Sequence, residues 1–148
     1  MSRRTAKRPK TPARPGPAPV TGASPCPCGL PAAYRECCGR LHRGEAEAVT
    51  AEQLMRSRFS AFAVHDAAYL MRSWDPETRP PEVELDGRLR WVRLEILGRT
   101  DGGAFHVEGT VSFRAHFTDR GETGSMEENS RFRRYEGRWV YLDALPES

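Results

Sequence analysis

The chain has 148 residues, a net charge of +3 and 29% charged residues. That length supports one domain of ordinary size with small additions. It has no stretch that could span a bilayer and no apolar run near the N-terminus of the kind a secretory signal needs, so a cytoplasmic protein without a membrane segment is expected.

Charge is uneven along the chain. Arg3, Arg4, Lys7, Arg8, Lys10 and Arg14 fall within residues 1–25, which contain no acid. The rest of the chain is mildly acidic. Residues 1–24 are rich in Pro, Ala, Arg and Gly, and Val20 is their only large aliphatic residue after Met1. Such a segment cannot bury enough surface to offset its ordering entropy, so a disordered basic tail is expected. It suits RNA or another polyanion. The plainer reading is a solvated tail with no dedicated partner.

Next come all four cysteines, in Cys26-Pro27-Cys28-Gly29 and Cys37-Cys38-Gly39. Two close thiol pairs can close a tetrahedral thiolate shell around one zinc. Pro25 and Pro27 fix φ, and Gly29 and Gly39 permit the sharp turns that bring neighbouring side chains together. Four thiolates on one Zn²⁺ leave excess negative charge, which Arg35, Arg40 and Arg43 are placed to offset. His42 is a spare donor beside a shell the cysteines already fill. Two disulfides, or reactive redox thiols, are the alternatives; disulfides require an oxidising compartment.

Thr50-Ala51-Glu52-Gln53 reads as a capping box opening a helix over 51–64, with Leu54, Met55, Phe59, Phe62 and Ala63 at helical spacing. Asp66 caps a second helix over 67–74, where Ala67, Leu70, Met71 and Trp74 share a face. Asp75-Pro76 ends it, and 76–88 is a loop. From Trp91 the period becomes two, with Val92, Leu94 and Ile96 on one face. A turn at 98–103 leads into a strand over 104–118, whose apolar face is Phe105, Val107, Val111, Phe113, Ala115 and Phe117. Gly109 marks a bulge or bend. A turn at 119–124 and strands over 125–135 and 138–144, joined at Glu136-Gly137, complete an antiparallel meander that the helices can cover.

Register singles out three polar residues. Arg58 falls on the apolar stripe between Leu54 and Phe62, and Glu128 and Ser130 share parity with Met126 and Phe132. Burying such charges unpaired is costly. Arg58 and Glu128 are therefore expected to approach each other inside the helix–sheet layer. They form either a structural ion pair or, with Ser130, the polar floor of a pocket. His106 and His116 lie too far apart on a straight strand to share a metal. His65 sits in the inter-helix turn. There is no catalytic triad, phosphate loop or dinucleotide fingerprint.

Cys26-Pro27-Cys28-Gly29, Tyr34 and Cys37-Cys38-Gly39 resemble the SEC-C motif, a small zinc-binding element of the preprotein translocase motor ATPase and other bacterial proteins. That resemblance implies zinc ligation by Cys26, Cys28, Cys37 and Cys38. Leu30-Pro31-Ala32-Ala33 departs from its usual lysine-rich stretch. Leu54 to Phe62, Tyr69-Leu70, Trp74-Asp75-Pro76, Val111-Ser112-Phe113, Phe117-Thr118, Glu128 to Phe132 and Trp139 to Asp143 resemble the YchJ-like family of bacterial proteins. This resemblance implies an α+β fold of the nuclear-transport-factor-2-like (NTF2-like) type: helices packed on a curved antiparallel sheet, a cystatin-like cone, preceded by a small zinc knuckle. It supplies a metal and a fold but no reaction.

The expected organisation is a tail over 1–24, a four-cysteine zinc motif over 25–44 and the α+β domain over 45–148. The favoured function is a zinc-binding adaptor carrying one structural zinc. A protein or ribonucleoprotein partner would dock on the zinc motif, and RNA or another polyanion on the tail. The alternative is a small-ligand binder or enzyme that uses the cavity around Arg58, Glu128 and Ser130. Enzymatic activity is left undecided, with no catalytic residue assigned.

Overall fold

A computed structural model describes residues 20–146. The basic tail expected over 1–24 lies outside the described residues up to residue 19. Residues 21–24 form a turn, closed by Ser24 N–H donating to the Thr21 carbonyl at 3.1 Å. The structured knuckle therefore begins ahead of the expected boundary at 25.

The helices are α1 (Cys38–His42), α2 (Ala51–Val64) and α3 (Ala67–Arg72), with a 3₁₀ turn at Tyr34–Glu36. Four strands follow: β1 (Leu89–Asp101), β2 (Glu108–Asp119), β3 (Glu122–Tyr135) and β4 (Arg138–Ala144), in one antiparallel sheet of order β1-β2-β3-β4. This is the expected α+β arrangement of helices over an antiparallel meander. No described helix is long and apolar enough to cross a membrane.

α2 starts where the Thr50 side chain accepts from Gln53 N–H at 3.0 Å. The Gln53 side chain reaches back to Val49 N–H, one residue earlier than a capping box requires. α3 stops at Arg72, two residues short of expectation. Beyond it the backbone turns to bridge β4: Asp75 N–H donates to the Tyr141 carbonyl and Tyr141 N–H to that of Ser73. Trp74 is thus drawn out of the helix into a short parallel bridge with Tyr141.

The sheet corrects three expectations. First, β1 is irregular at Val92 and Leu97, where its pairing with β2 skips a residue. Each bulge flips parity. Trp91, Leu94 and Ile96 therefore oppose Phe117, Ala115 and Phe113, while Val92 is exposed. Second, β1 runs through Gly98 to Asp101, and the loop begins at Gly102. There two backbones touch: a Cβ on Gly109 would stand 2.4 Å from the Gly102 Cα. The segment after Gly102 leaves the sheet, so Phe105 and Val107 are 100% and 68% exposed instead of joining the apolar face. Third, the turn at 119–124 shrinks to Arg120-Gly121. Both have positive φ, the geometry of a two-residue hairpin, as do Glu136-Gly137. Gly124 belongs to β3 and lies under the Phe117 ring.

The main core is α2 against the sheet: Leu54, Met55 and Phe59 meet Leu94, Val111, Phe113, Ala115, Phe132 and Trp139. A second cluster, Leu41, Ala61, Tyr69 and Leu70, joins the three helices.

Candidate metal centre and inner cavity

The knuckle is a tight backbone structure. Pro25 bridges Ala33, Cys26 N–H donates to the Ala32 carbonyl, and Gly29, with φ of 93°, closes the first turn onto the Cys26 carbonyl. Cys37 takes φ −119° and ψ −112° at the head of α1, which lets successive cysteines face one point. The four Sγ atoms lie within 4.8 Å of one another, and none is in a disulfide. Cys28 Sγ and Cys37 Sγ are 3.7 Å apart. With Zn–S bonds of about 2.3 Å, the edge of a tetrahedral thiolate shell is roughly 3.8 Å. A disulfide would need about 2.05 Å. The donor set and its spacing fit a four-thiolate metal site.

Crowding also splits the thiols. Hydrogen bonds from Cys28 and Cys38 push Cys26 far down, and those to Cys26 and Cys28 push Cys38 far up. Burial drives Cys37 up to about 12. A metal entering this cluster must displace protons.

Two groups that sequence reasoning missed support the cluster, both from α2. Arg56 Nη1 donates to the Cys28 carbonyl at 2.7 Å, and Ser60 Oγ lies 3.6 Å from Cys26 Sγ. They are four residues apart and so share a helix face, a signal visible in hindsight. Of the arginines expected to offset the charge, Arg43 instead binds Glu45 and the Arg35 carbonyl. His42 is not a spare ligand. Its Nε2 faces the Ser57 carbonyl at 2.8 Å and its Nδ1 the Tyr34 hydroxyl at 2.5 Å. The carbonyl requires the proton on Nε2, so Nδ1 accepts from Tyr34. Burial lowers its pKa, keeping the ring neutral.

Arg58, Glu128 and Ser130 line one cavity of about 160 Å³ between α2 and the sheet. No ion pair joins Arg58 to Glu128, contrary to the structural pair weighed from register. Arg58 Nη1 donates to the Leu70 carbonyl at 2.9 Å and to Ser73 Oγ at 2.7 Å. Its guanidinium carbon sits 5.0 Å from the Trp74 ring centroid and 4.6 Å from that of Tyr141. The aromatic faces and a carbonyl have replaced the expected carboxylate. Burial lowers Arg58 to about 10, still a cation at neutral pH. Glu128 Oε2 accepts from Ser130 Oγ at 2.6 Å and Tyr141 Oη at 3.1 Å. Met126, placed in the core by parity, is at the partly exposed rim.

The histidines make no second centre. His106 is in the exposed loop 3.9 Å from Asp101, and His116 bonds Glu95 on the outer sheet face at 2.6 Å.

The comparisons agree with this architecture. Residues 50–144 match the family description "YchJ, middle NTF2-like domain". A UPF0225 protein of Streptomyces avermitilis is 54% identical over 142 residues, covering 96% of this chain and 94% of the relative. One of Streptomyces coelicolor is 56% identical over 119 residues, covering 80% and 93%. The solution structure of a SEC-C motif containing protein from Rhodopseudomonas palustris shares 32% identity and a TM-score of 0.71, over 83% of this chain and 98% of that one. The crystal structure of a sec-c motif containing protein from Psychrobacter arcticus, 24% identical, has the same fold, with a TM-score of 0.69 over 86% of each chain. The chain belongs to the YchJ-like family of UPF0225 proteins, with an NTF2-like sheet body behind a four-cysteine knuckle.

Proposed function

We propose that the chain is a zinc-carrying interaction module: one structural zinc fixes the knuckle, and a protein or ribonucleoprotein partner docks on it. The observation that carries this reading is the closed donor set. Four convergent thiols fill a tetrahedral shell, and His42, the donor next to them in sequence, is consumed by Tyr34 and Ser57. Catalytic zinc keeps a position open for water or substrate; structural zinc does not. Beside the knuckle, Leu30, Arg40, Gln53 and Arg56 line a groove of about 350 Å³ that opens to solvent, and Leu30 is exposed. The basic residues of the tail would add a salt-dependent attraction to a ribonucleoprotein.

The experiment is a metal assay with a paired capture. The full chain should carry one zinc and show no titratable thiol until the metal is stripped. Ribosomes, RNA and translocation components are the baits, offered to metal-loaded protein, stripped protein and Cys37→Ser. The reading expects capture by the loaded chain alone. Retention by Cys37→Ser, or free thiols in the native protein, would overturn it.

A further inference from the structure

The inner cavity plays no part in the zinc reading. It is walled by rings, with Phe59 and Phe62 of α2 facing Trp91 and Phe113 of the sheet. Two opposite charges line it without meeting. Arg58 is only 4% exposed, yet no carboxylate among the described residues lies within ion-pair distance of it. Its Nη1 is used, whereas Nε and Nη2 have no acceptor among the described residues. The Trp74 Nε1–H beside it is buried without an acceptor among the described residues. Buried donors left unpaired are costly, and such exceptions mark places where a ligand completes the bonding. On Glu128, Oε2 accepts twice, while Oε1 accepts from no donor among the described residues and is free to take a ligand's hydrogen bond.

These charges constrain what could enter. A simple anion attracted by Arg58 would meet the Glu128 carboxylate. A simple cation attracted by Glu128 would meet the guanidinium. A molecule carrying both signs satisfies both. The volume, about 160 Å³, is below the roughly 300–1,000 Å³ of drug-sized pockets and admits only a small organic molecule. The ring-lined wall calls for an apolar body.

We propose that this cavity binds a free α-amino acid with an apolar side chain. The carboxylate pairs with Arg58, the ammonium pairs with Glu128, and the side chain lies among Phe59, Phe62, Trp91 and Phe113. Arg58 is held in place by Ser73 and the Leu70 carbonyl, and Glu128 by Tyr141 and Ser130, so both charges are oriented before a ligand arrives.

Calorimetric titration of the metal-loaded full chain tests the assignment. The probes are L-phenylalanine and L-leucine, against phenylacetate, which lacks the ammonium, and phenethylamine, which lacks the carboxylate. At least one amino acid should bind, with each half-molecule at least tenfold weaker. Glu128→Gln should weaken the amino acid about tenfold and leave phenylacetate equal or tighter. This near-isosteric change sits on a half-buried residue, so it avoids the folding risk of replacing Arg58. Phenylacetate or phenethylamine binding as well as its parent amino acid would overturn the proposal. So would an unchanged amino-acid affinity in Glu128→Gln, or no binding of either amino acid at millimolar concentration.

Discussion

The knuckle and the sheet body achieve order by opposite means. Among the knuckle's cysteines, three buried sulfurs stand in for a core, packed with little more than Tyr34. Its backbone hydrogen bonds join residues close in sequence, and its cohesion depends on what the thiols hold. The sheet body draws its core from α2 and from β1 to β4, across the whole second half of the chain. It needs no metal, because aromatic and branched side chains supply its burial. The difference teaches that a short segment can be fixed by a few directional bonds, whereas a fold without such bonds must recruit area from distant residues.

That contrast can be broken by experiment. The largest effect is expected in Cys37→Ser. Structural zinc contributes about 10–16 kcal/mol of apparent binding energy in small zinc folds, so losing one thiolate should cost zinc affinity by orders of magnitude. Circular dichroism should still report the β-sheet, because no cysteine belongs to the main core. Loss of both together would show a single cooperative unit. Phe132→Ala is the mirror experiment. Phe132 is 1% exposed in the middle of that core, and its truncation should cost about 3–5 kcal/mol in denaturant unfolding with zinc stoichiometry unchanged.

Asp75 sharpens the picture of the body. It is fully buried, paired with Arg133 of β3, and accepts the Glu77 N–H at 2.9 Å. Burial alone would raise its pKa, but the Arg133 guanidinium and the Glu77 N–H outweigh it and hold the carboxyl below the usual range. The folded state therefore binds this proton less readily than the unfolded chain. The pair's contribution is complete at neutral pH and lost as pH falls below about 4, through the lowered folded value. Asp75→Asn should cost about 1.5–3 kcal/mol at pH 7 and flatten the acid limb of a stability–pH profile. The smallest effect is expected at Thr50→Ala, which removes the α2 cap for about 1 kcal/mol by thermal denaturation.

What the sequence discloses follows from how local each determinant is. Thr50 and Gln53 mark the start of α2 because a cap is written within four residues. The cysteine spacing and Glu136-Gly137 are local in the same sense. The bulges at Val92 and Leu97 are not: nothing in β1 announces them, since each arises from how β1 meets β2. The exposure of Phe105 has its reason seven residues apart, in two glycines whose backbones touch. The same holds for the site. Parity brought Arg58 and Glu128 to one cavity, but alternation carries no information about which neighbour satisfies a charge. Trp74 reached its place over Arg58 only because α3 ended early against β4. Arg56 and Ser60 became visible only when their helix was set against the cysteines.

The two sides of α2 have a consequence for inheritance. One side carries Arg56, Ser57 and Ser60 to the knuckle, and the other carries Met55, Arg58 and Phe59 to the sheet. Ser57, Ser60 and Ala61 have no exposed surface at all. A gene fragment beginning at residue 45 would encode every strand, yet would strip the cover from half of this helix and leave the Ser57 carbonyl to water. A sheet cut at that seam would keep its own core but carry a half-bared helix into the new protein. Selection against that exposed face would favour inheriting knuckle and body as one piece of coding sequence.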